Sequence, residues 1–211
     1  SEWAEREADA LEVKNSRYLN AFLYGKKSFL KEAKITAKFI HAQNVVTIYD
    51  VFSANDTVYL VMEYLQGDSV GRRMKKRQYE PYSERKAVEI ILSVMKALCT
   101  IHENYVVHGD ISPGNLICTK EGTVVLIDFG AARQYGDYNE DKVFKGGYTP
   151  LEQVSENGQV GPYSDIYSVC ATMYTCISGR MVTPARERLR HDNLQTFSKL
   201  GIDVKPSVRL P

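Results

Sequence analysis

Asp110, Asn115 and Asp128 are the residues whose types and spacing suit chemistry. Asp110 and Asn115 lie five positions apart around Pro113 and Gly114, so their loop can fold with both side chains facing one point. Asp128 ends the β-branched apolar run Val124-Val125-Leu126-Ile127 and is followed by Phe129 and Gly130. If the apolar runs on either side of Lys120-Glu121-Gly122 pair as a hairpin, Asn115 and Asp128 come to the same end. Bare carboxylates are costly beside apolar segments. They are tolerated where a metal ion or a reacting proton occupies the space between them. An amide oxygen and a carboxylate suit Mg²⁺, which keeps several waters and shares phosphate oxygens. Asp110 would then be placed to accept the proton of an attacking hydroxyl. Such a set describes phosphoryl transfer, where a protein mainly positions groups and neutralises charge.

These residues need a scaffold. Apolar spacing predicts a helix over about residues 17–40, with Phe22, Phe29, Ala33, Ala37 and Ile40 on one face. Strand-like runs at 45–52 and 57–64 flank Ala54-Asn55-Asp56, which reads as a hairpin loop. A short basic helix follows the break at Gly67-Asp68. Ser83 is the expected N-cap of a long helix ending near Asn104, with Ala87, Ile91, Val94, Leu98 and Ile101 on one face. Short strands are expected at 116–118 and 124–127. Residues 129–163 are rich in Gly and Tyr and weakly patterned, and a loop of that length is usually functional or mobile. Ser164 is expected to cap an apolar helix through Ile177, closed by Gly179. Helix, strands, then mostly helix describes an α+β chain. A small mixed lobe over residues 1–65 joins a larger, mainly helical lobe over 66–211.

Composition narrows the function. With 44% hydrophobic and 25% charged residues the chain is of globular type. A formal net charge of +1 calls for neither nucleic acid nor an anionic membrane. No apolar run reaches the roughly 18 residues needed to span a bilayer. Cys99, Cys118, Cys170 and Cys176 form no C-x-x-C pair and sit in apolar segments, which reads as free buried thiols in a reducing cytoplasm. The chain starts at Ser1 and stops after Pro211 with no closing element, and it is read as a piece of a longer protein.

Residues 108–130 resemble the catalytic loop H-R-D-x-x-x-x-N and the D-F-G motif of protein kinases. Other motifs follow in order and spacing. Phe29-Leu30-Lys31-Glu32-Ala33 resembles the αC helix, and His41-Ala42-Gln43-Asn44-Val45-Val46 the loop after it. Val61-Met62-Glu63-Tyr64-Leu65 resembles the hinge, Thr149-Pro150-Leu151-Glu152 the end of the activation segment, and Ser164-Asp165 the start of αF. The texture is similar to bacterial serine/threonine kinases, from about residue 28 to 179. The resemblance implies a two-lobed fold with an incomplete N-lobe and a truncated C-lobe. It implies ATP and Mg²⁺ as cofactors and a serine or threonine of a protein as acceptor. Asp110 would be the base, and Asn115 and Asp128 the metal ligands. Glu32 would be the glutamate that pairs with the ATP lysine. Met62, Glu63, Leu65 and Ile127 would line the nucleotide site, with Met62 as gatekeeper, and Asp165 would brace the catalytic loop.

The sequence departs from that pattern in three places. No G-x-G-x-x-G and no V-A-I-K strand precedes Glu32. Lys14 has a tolerable spacing, but residues 3–11 read as helix or loop, so the pairing lysine is expected upstream of Ser1 and the chain alone is expected to be a poor catalyst. Gly109 replaces the arginine that holds a phosphorylated activation loop, implying that loop phosphorylation is not required. Ser112 replaces the lysine beside the transferred phosphate, and Lys145 is the residue that would restore that charge. Two alternatives stand beside the protein kinase reading. Aminoglycoside and choline kinases share the H-G-D form, but they lack the Pro150-Leu151-Glu152 segment. A pseudokinase scaffold would explain a missing lysine strand, but it has no need for three polar groups facing one point. The basic run at residues 72–77 reads as a solvated helix face, and Tyr135, Tyr138 and Tyr148 as packing residues. His102 reads as structural, and His108 as packing and hydrogen bonding within the loop.

Overall fold

Two short antiparallel strands, β1 (Ala4–Glu7) and β2 (Ala10–Val13), come first in the computed structural model, which describes residues 4–7, 10–13, 16–135 and 144–205. This differs from the helix or loop expected over residues 3–11. An isolated helix this short is marginal, whereas register from Ala4↔Val13 to Glu7↔Ala10 pairs backbone groups across the strands. Lys14 lies outside the described residues.

Helix α1 (Leu19–Thr36) runs into a 3₁₀ turn at Ala37–Phe39. The tighter winding of that turn breaks the predicted face: Phe39 is buried and Ile40 is 45% exposed. Strands β3 (Ile48–Ala54) and β4 (Thr57–Met62) form a hairpin across Asn55-Asp56. Both turn residues have positive φ, 51° and 57°, the geometry of a two-residue hairpin loop that Asn and Asp tolerate. Helix α1 packs on both strands.

Strand β5 (Gly67–Ser69) leads into α2 (Val70–Lys76), and α3 (Glu84–Glu103) follows. The Ser83 hydroxyl accepts from the Lys86 N–H at 3.3 Å, as expected of the N-cap. Most of the basic run is a solvated face, with Lys76 at 2.7 Å from Asp68 and Arg77, just past α2, at 2.9 Å from Glu80, but Arg73 is half-buried and donates to the Cys118 carbonyl. After β6 (Val106–Val107) and a 3₁₀ turn at Pro113–Asn115 come β7 (Leu116–Thr119), β8 (Val124–Leu126) and β9 (Arg133–Gln134). Strands β5, β7 and β8 make one antiparallel sheet, and β6 pairs with β9.

Helices α4 (Leu151–Val154), α5 (Pro162–Ser178) and α6 (Ala185–Arg188) come next, followed by a 3₁₀ turn at Ser198–Leu200. Helix α5 starts two residues before the predicted cap. Pro162 takes the first helical position, where its fixed φ suits the helix and its missing N–H costs nothing. Ser164 lies within the first turn instead, accepting from the Gly161 N–H at 3.3 Å and donating to Glu152 at 2.7 Å. Gly179 closes the helix at φ 68°, and a Cβ there would lie 2.2 Å from the Tyr79 carbonyl. The core runs from α3 (Ile90, Leu98, Ile101) to α5 (Val169, Ile177), directly under Ile111, Leu116, Leu126 and Phe129. All four cysteines are free, but only Cys118 and Cys176 are buried, because Cys99 and Cys170 fall on the outer faces of α3 and α5.

Candidate active site

The loop between β6 and β7 is held from beneath by one buried carboxylate. Asp165, fully buried near the start of α5, accepts from the N–H of His108 at 2.9 Å and of Gly109 at 2.8 Å. Its Oδ2 also lies 2.8 Å from His102 Nε2. A buried carboxylate with three donors is satisfied, and the loop backbone above it has little freedom. His108 is buried against Phe129, ring centroids 4.7 Å apart, and its Nδ1 accepts from the Asp110 N–H at 3.3 Å. That bond needs a neutral ring. Burial supplies the condition, holding the imidazole below its ordinary range although Asp165, Asp110 and Asp128 surround it. Gly109 has φ 76°, and a Cβ there would approach the Ala131 carbonyl to 2.8 Å. A side chain at this position would strain the loop, so Gly109 is more than a missing arginine.

Asn115 is brought to Asp110. Its amide donates to the Asp110 carbonyl at 2.9 Å and to the carboxylate at 2.7 Å, leaving the amide oxygen of Asn115 as an acceptor. The β7–β8 hairpin forms in the register Leu116↔Leu126, and the Ile127 N–H bonds to the Asn115 carbonyl at 3.0 Å. Asn115 and Asp128 therefore stand at one end of the hairpin. Asp128 is exposed with φ 66°, and its carboxylate accepts from the Gly130 N–H at 3.2 Å. Such local bonding is what lets Asp adopt left-handed backbone.

Glu32 on α1 meets the same corner. Atoms of both Glu32 and Asp128 lie within 4 Å of the point where Gly130 would carry a Cβ. Burial and the Asp128 charge push the Glu32 carboxyl above its ordinary range, partly offset by the Phe129 N–H. Among the described residues no lysine or arginine pairs with Glu32 or Asp128. A cavity of about 490 Å³ opens here, lined by Glu32, Met62, Glu63, Leu65, Ile127 and Asp128 among others. All four residues expected at the nucleotide thus face one space. Glu63 is pinned twice to Thr47, by its N–H at 2.9 Å and by its carboxylate at 2.7 Å.

Among the described residues no three His, Cys, Asp or Glu side chains form a metal cage. One amide oxygen and one carboxylate are the donor set of a Mg²⁺ ion that keeps waters and shares phosphate oxygens, so the residues present fit that ion. Tyr135 and Tyr148 are packing residues, bonded to the His102 carbonyl and to Thr175 respectively, while Tyr138 lies outside the described residues. Sequence reasoning missed Gln153. This buried amide donates to the Gly109 carbonyl at 2.6 Å and ties α4 to the catalytic loop. Its only signal was a polar residue next to Pro150-Leu151-Glu152.

The description "protein kinase domain" is that of the family whose model matches residues 7–209. The chain belongs to the protein kinase family. Bacterial serine/threonine kinases are among the relatives of this kinase domain. It is 33% identical over 168 residues to the serine/threonine-protein kinase PksC of Streptomyces coelicolor, covering 74% of this chain and 30% of that protein. It is 32% identical over 161 residues to drp72 of Corynebacterium efficiens, covering 72% and 30%. The apo form of PpkA-294 superposes with a TM-score of 0.84 at 26% identity, covering 99% of this chain and 74% of that one. The kinase domain thus spans about 30% of the length of these curated relatives.

Proposed function

We propose that this domain transfers the γ-phosphoryl group of ATP to a serine or threonine hydroxyl of a protein. One observation carries the reading: Asn115 bonds to Asp110 and stands with Asp128 at one end of the β7–β8 hairpin, and Asp128 lines the cavity that Met62, Leu65 and Ile127 also line. The adenine would lie against Met62, Ile127 and the backbone of Glu63 and Leu65, between lobes dividing near residue 65. Asp110 would accept the proton of the acceptor hydroxyl. The Asn115 amide oxygen and the Asp128 carboxylate would hold Mg²⁺, which supplies positive charge for the phosphate oxygens. Glu32 would orient the ATP lysine. Gln153 favours a protein acceptor over a small molecule, because it ties the segment ending in Pro150-Leu151-Glu152 to the catalytic loop. A catalytically silent scaffold draws support from the unpaired Glu32 among the described residues. The free thiols are in keeping with a cytoplasmic setting, and no helix among the described residues is long and apolar enough to cross a membrane.

The test is phosphate transfer from γ-labelled ATP with Mg²⁺ by the intact protein, wild type against Asp110→Asn. Label on protein serine or threonine, reduced on the order of 10²–10⁴-fold in the variant, is the expected result. Label on a small-molecule hydroxyl alone would transfer the reading to that class. Nucleotide binding without transfer would favour the scaffold.

A further inference from the structure

Lys145 reaches the reacting carboxylate from 35 residues further along the chain. Its ammonium donates to Asp110 Oδ2 at 2.8 Å, the oxygen that Asn115 also contacts. Among the described residues it is the one lysine or arginine paired with any of the three acids Glu32, Asp110 and Asp128. Its backbone is held on both sides. The Lys145 N–H donates to Thr149 Oγ1 at 2.8 Å, and its carbonyl accepts from the Tyr148 N–H at 3.0 Å. Tyr148 in turn reaches Thr175 on α5. The Lys145 side chain is nevertheless 37% exposed, so the ammonium can move while its anchor stays. It lines a groove of about 380 Å³ together with Ser112, Pro113 and Gly114. The Ser112 hydroxyl is buried there with no hydrogen-bond partner among the described residues.

A carboxylate and a phosphoryl group brought to the same acceptor oxygen repel each other, and charge grows on the phosphoryl oxygens in transit. A preorganised cation between them removes that penalty. Resting on the kinase reading above, we propose that Lys145 is a catalytic residue, its ammonium bridging Asp110 and the phosphoryl group in flight. In that step the acceptor O–H bond breaks and its proton passes to Asp110. The oxygen's electron pair forms the new O–P bond. The bond from the γ-phosphorus to the bridging oxygen breaks, and its pair leaves on ADP. Lys145 keeps all its protons. The activation segment thereby supplies the charge that the catalytic loop, with Ser112 at its centre, does not carry.

Two measurements on the intact protein test this. Lys145→Ala and Lys145→Met should lower kcat on the order of 10²-fold with little change in the KM for ATP, and Lys145→Arg should recover part of the loss. The second measurement is acylation of Lys145 by an amine-reactive ester, read by peptide mass spectrometry, and it needs no turnover and no variant. A non-hydrolysable ATP analogue with Mg²⁺ should protect Lys145 several-fold, and ADP with Mg²⁺ should not. A kcat within about twofold of wild type in both neutral variants overturns the proposal. A rise in kcat also overturns it, because the ion pair would then be a brake. Equal acylation with analogue and ADP overturns it independently of activity, including where a variant fails to fold. If the wild type transfers no phosphate to protein while the analogue still protects Lys145, the kinase reading fails and the phosphate contact stands.

Discussion

Glu32 shows how a single residue reports on its surroundings. Its carboxyl is raised by burial and by Asp128. A group raised on folding adds stability below its unfolded value, about pH 4.3, and loses that share as pH rises through the folded value. At pH 7 the charged Glu32 is therefore expected to cost stability, since no lysine or arginine among the described residues pairs with it. Glu32→Gln is expected to raise the melting temperature at pH 7 by up to about 2 °C, a figure discounted for partial exposure, and to change it little at pH 4. A lower melting temperature at pH 7 would mean that a cation does reach Glu32. At the same scale, Asp110→Asn removes the proposed proton acceptor while the amide can keep the bond to Asn115, so the variant tests chemistry more than folding.

Among the elements, α5 matters to the site more than its distance in sequence suggests. Asp165 in its first turns carries two loop N–H groups and His102. Asp165→Ala would leave two buried N–H groups without acceptors, at a cost of about 3–5 kcal/mol in urea unfolding, with phosphate transfer lost as the loop relaxes. A loss under about 1 kcal/mol would show that water can replace the carboxylate. The β7–β8 hairpin contributes differently. Its register alone sets Asn115 and Asp128 at one end, and a one-residue slip would send their neighbours to the opposite face.

At the scale of the whole molecule, Phe39 after α1, Phe129 after β8 and His108 in the loop form one aromatic column, Phe39 stacked on Phe129 and His108 set edge-on to it. Phe39 and Phe129 lie 5.6 Å apart, and Phe129 and His108 4.7 Å. The buried His108 at the base of the column is expected to make stability pH-dependent. Its imidazole is depressed by burial, so below about pH 6.5 the unfolded chain binds a proton that the native state refuses. Stability is expected to fall as pH drops from about 6.5 toward the depressed native value. His108→Gln, which keeps an acceptor for the Asp110 N–H, should flatten melting temperature against pH over that range. An unchanged slope would assign the acid loss to other groups.

Much of this was legible in order along the chain. The apolar spacing of α3 and its Ser83 cap, the Asn55-Asp56 turn, and the polar residues ending β7 and β8 are local patterns, set by helix period, backbone φ and strand alternation. Those patterns also carried Asp110, Asn115 and Asp128 as a set, because a loop of five and one hairpin suffice to bring them together. Other features needed the third dimension. The β1–β2 pairing, the inward rotation of Phe39 and the start of α5 at Gly161-Pro162 depend on backbone partners or packing that a short window does not contain. Gln153 on the Gly109 carbonyl and Lys145 on Asp110 join residues more than thirty positions apart, with no periodicity to announce them. The sequence by itself determined which groups can do chemistry, since that follows from side-chain type and near spacing. Only the tertiary structure decided which charge stands beside which, because burial and long-range contact set electrostatics and neither is a property of neighbours in the chain.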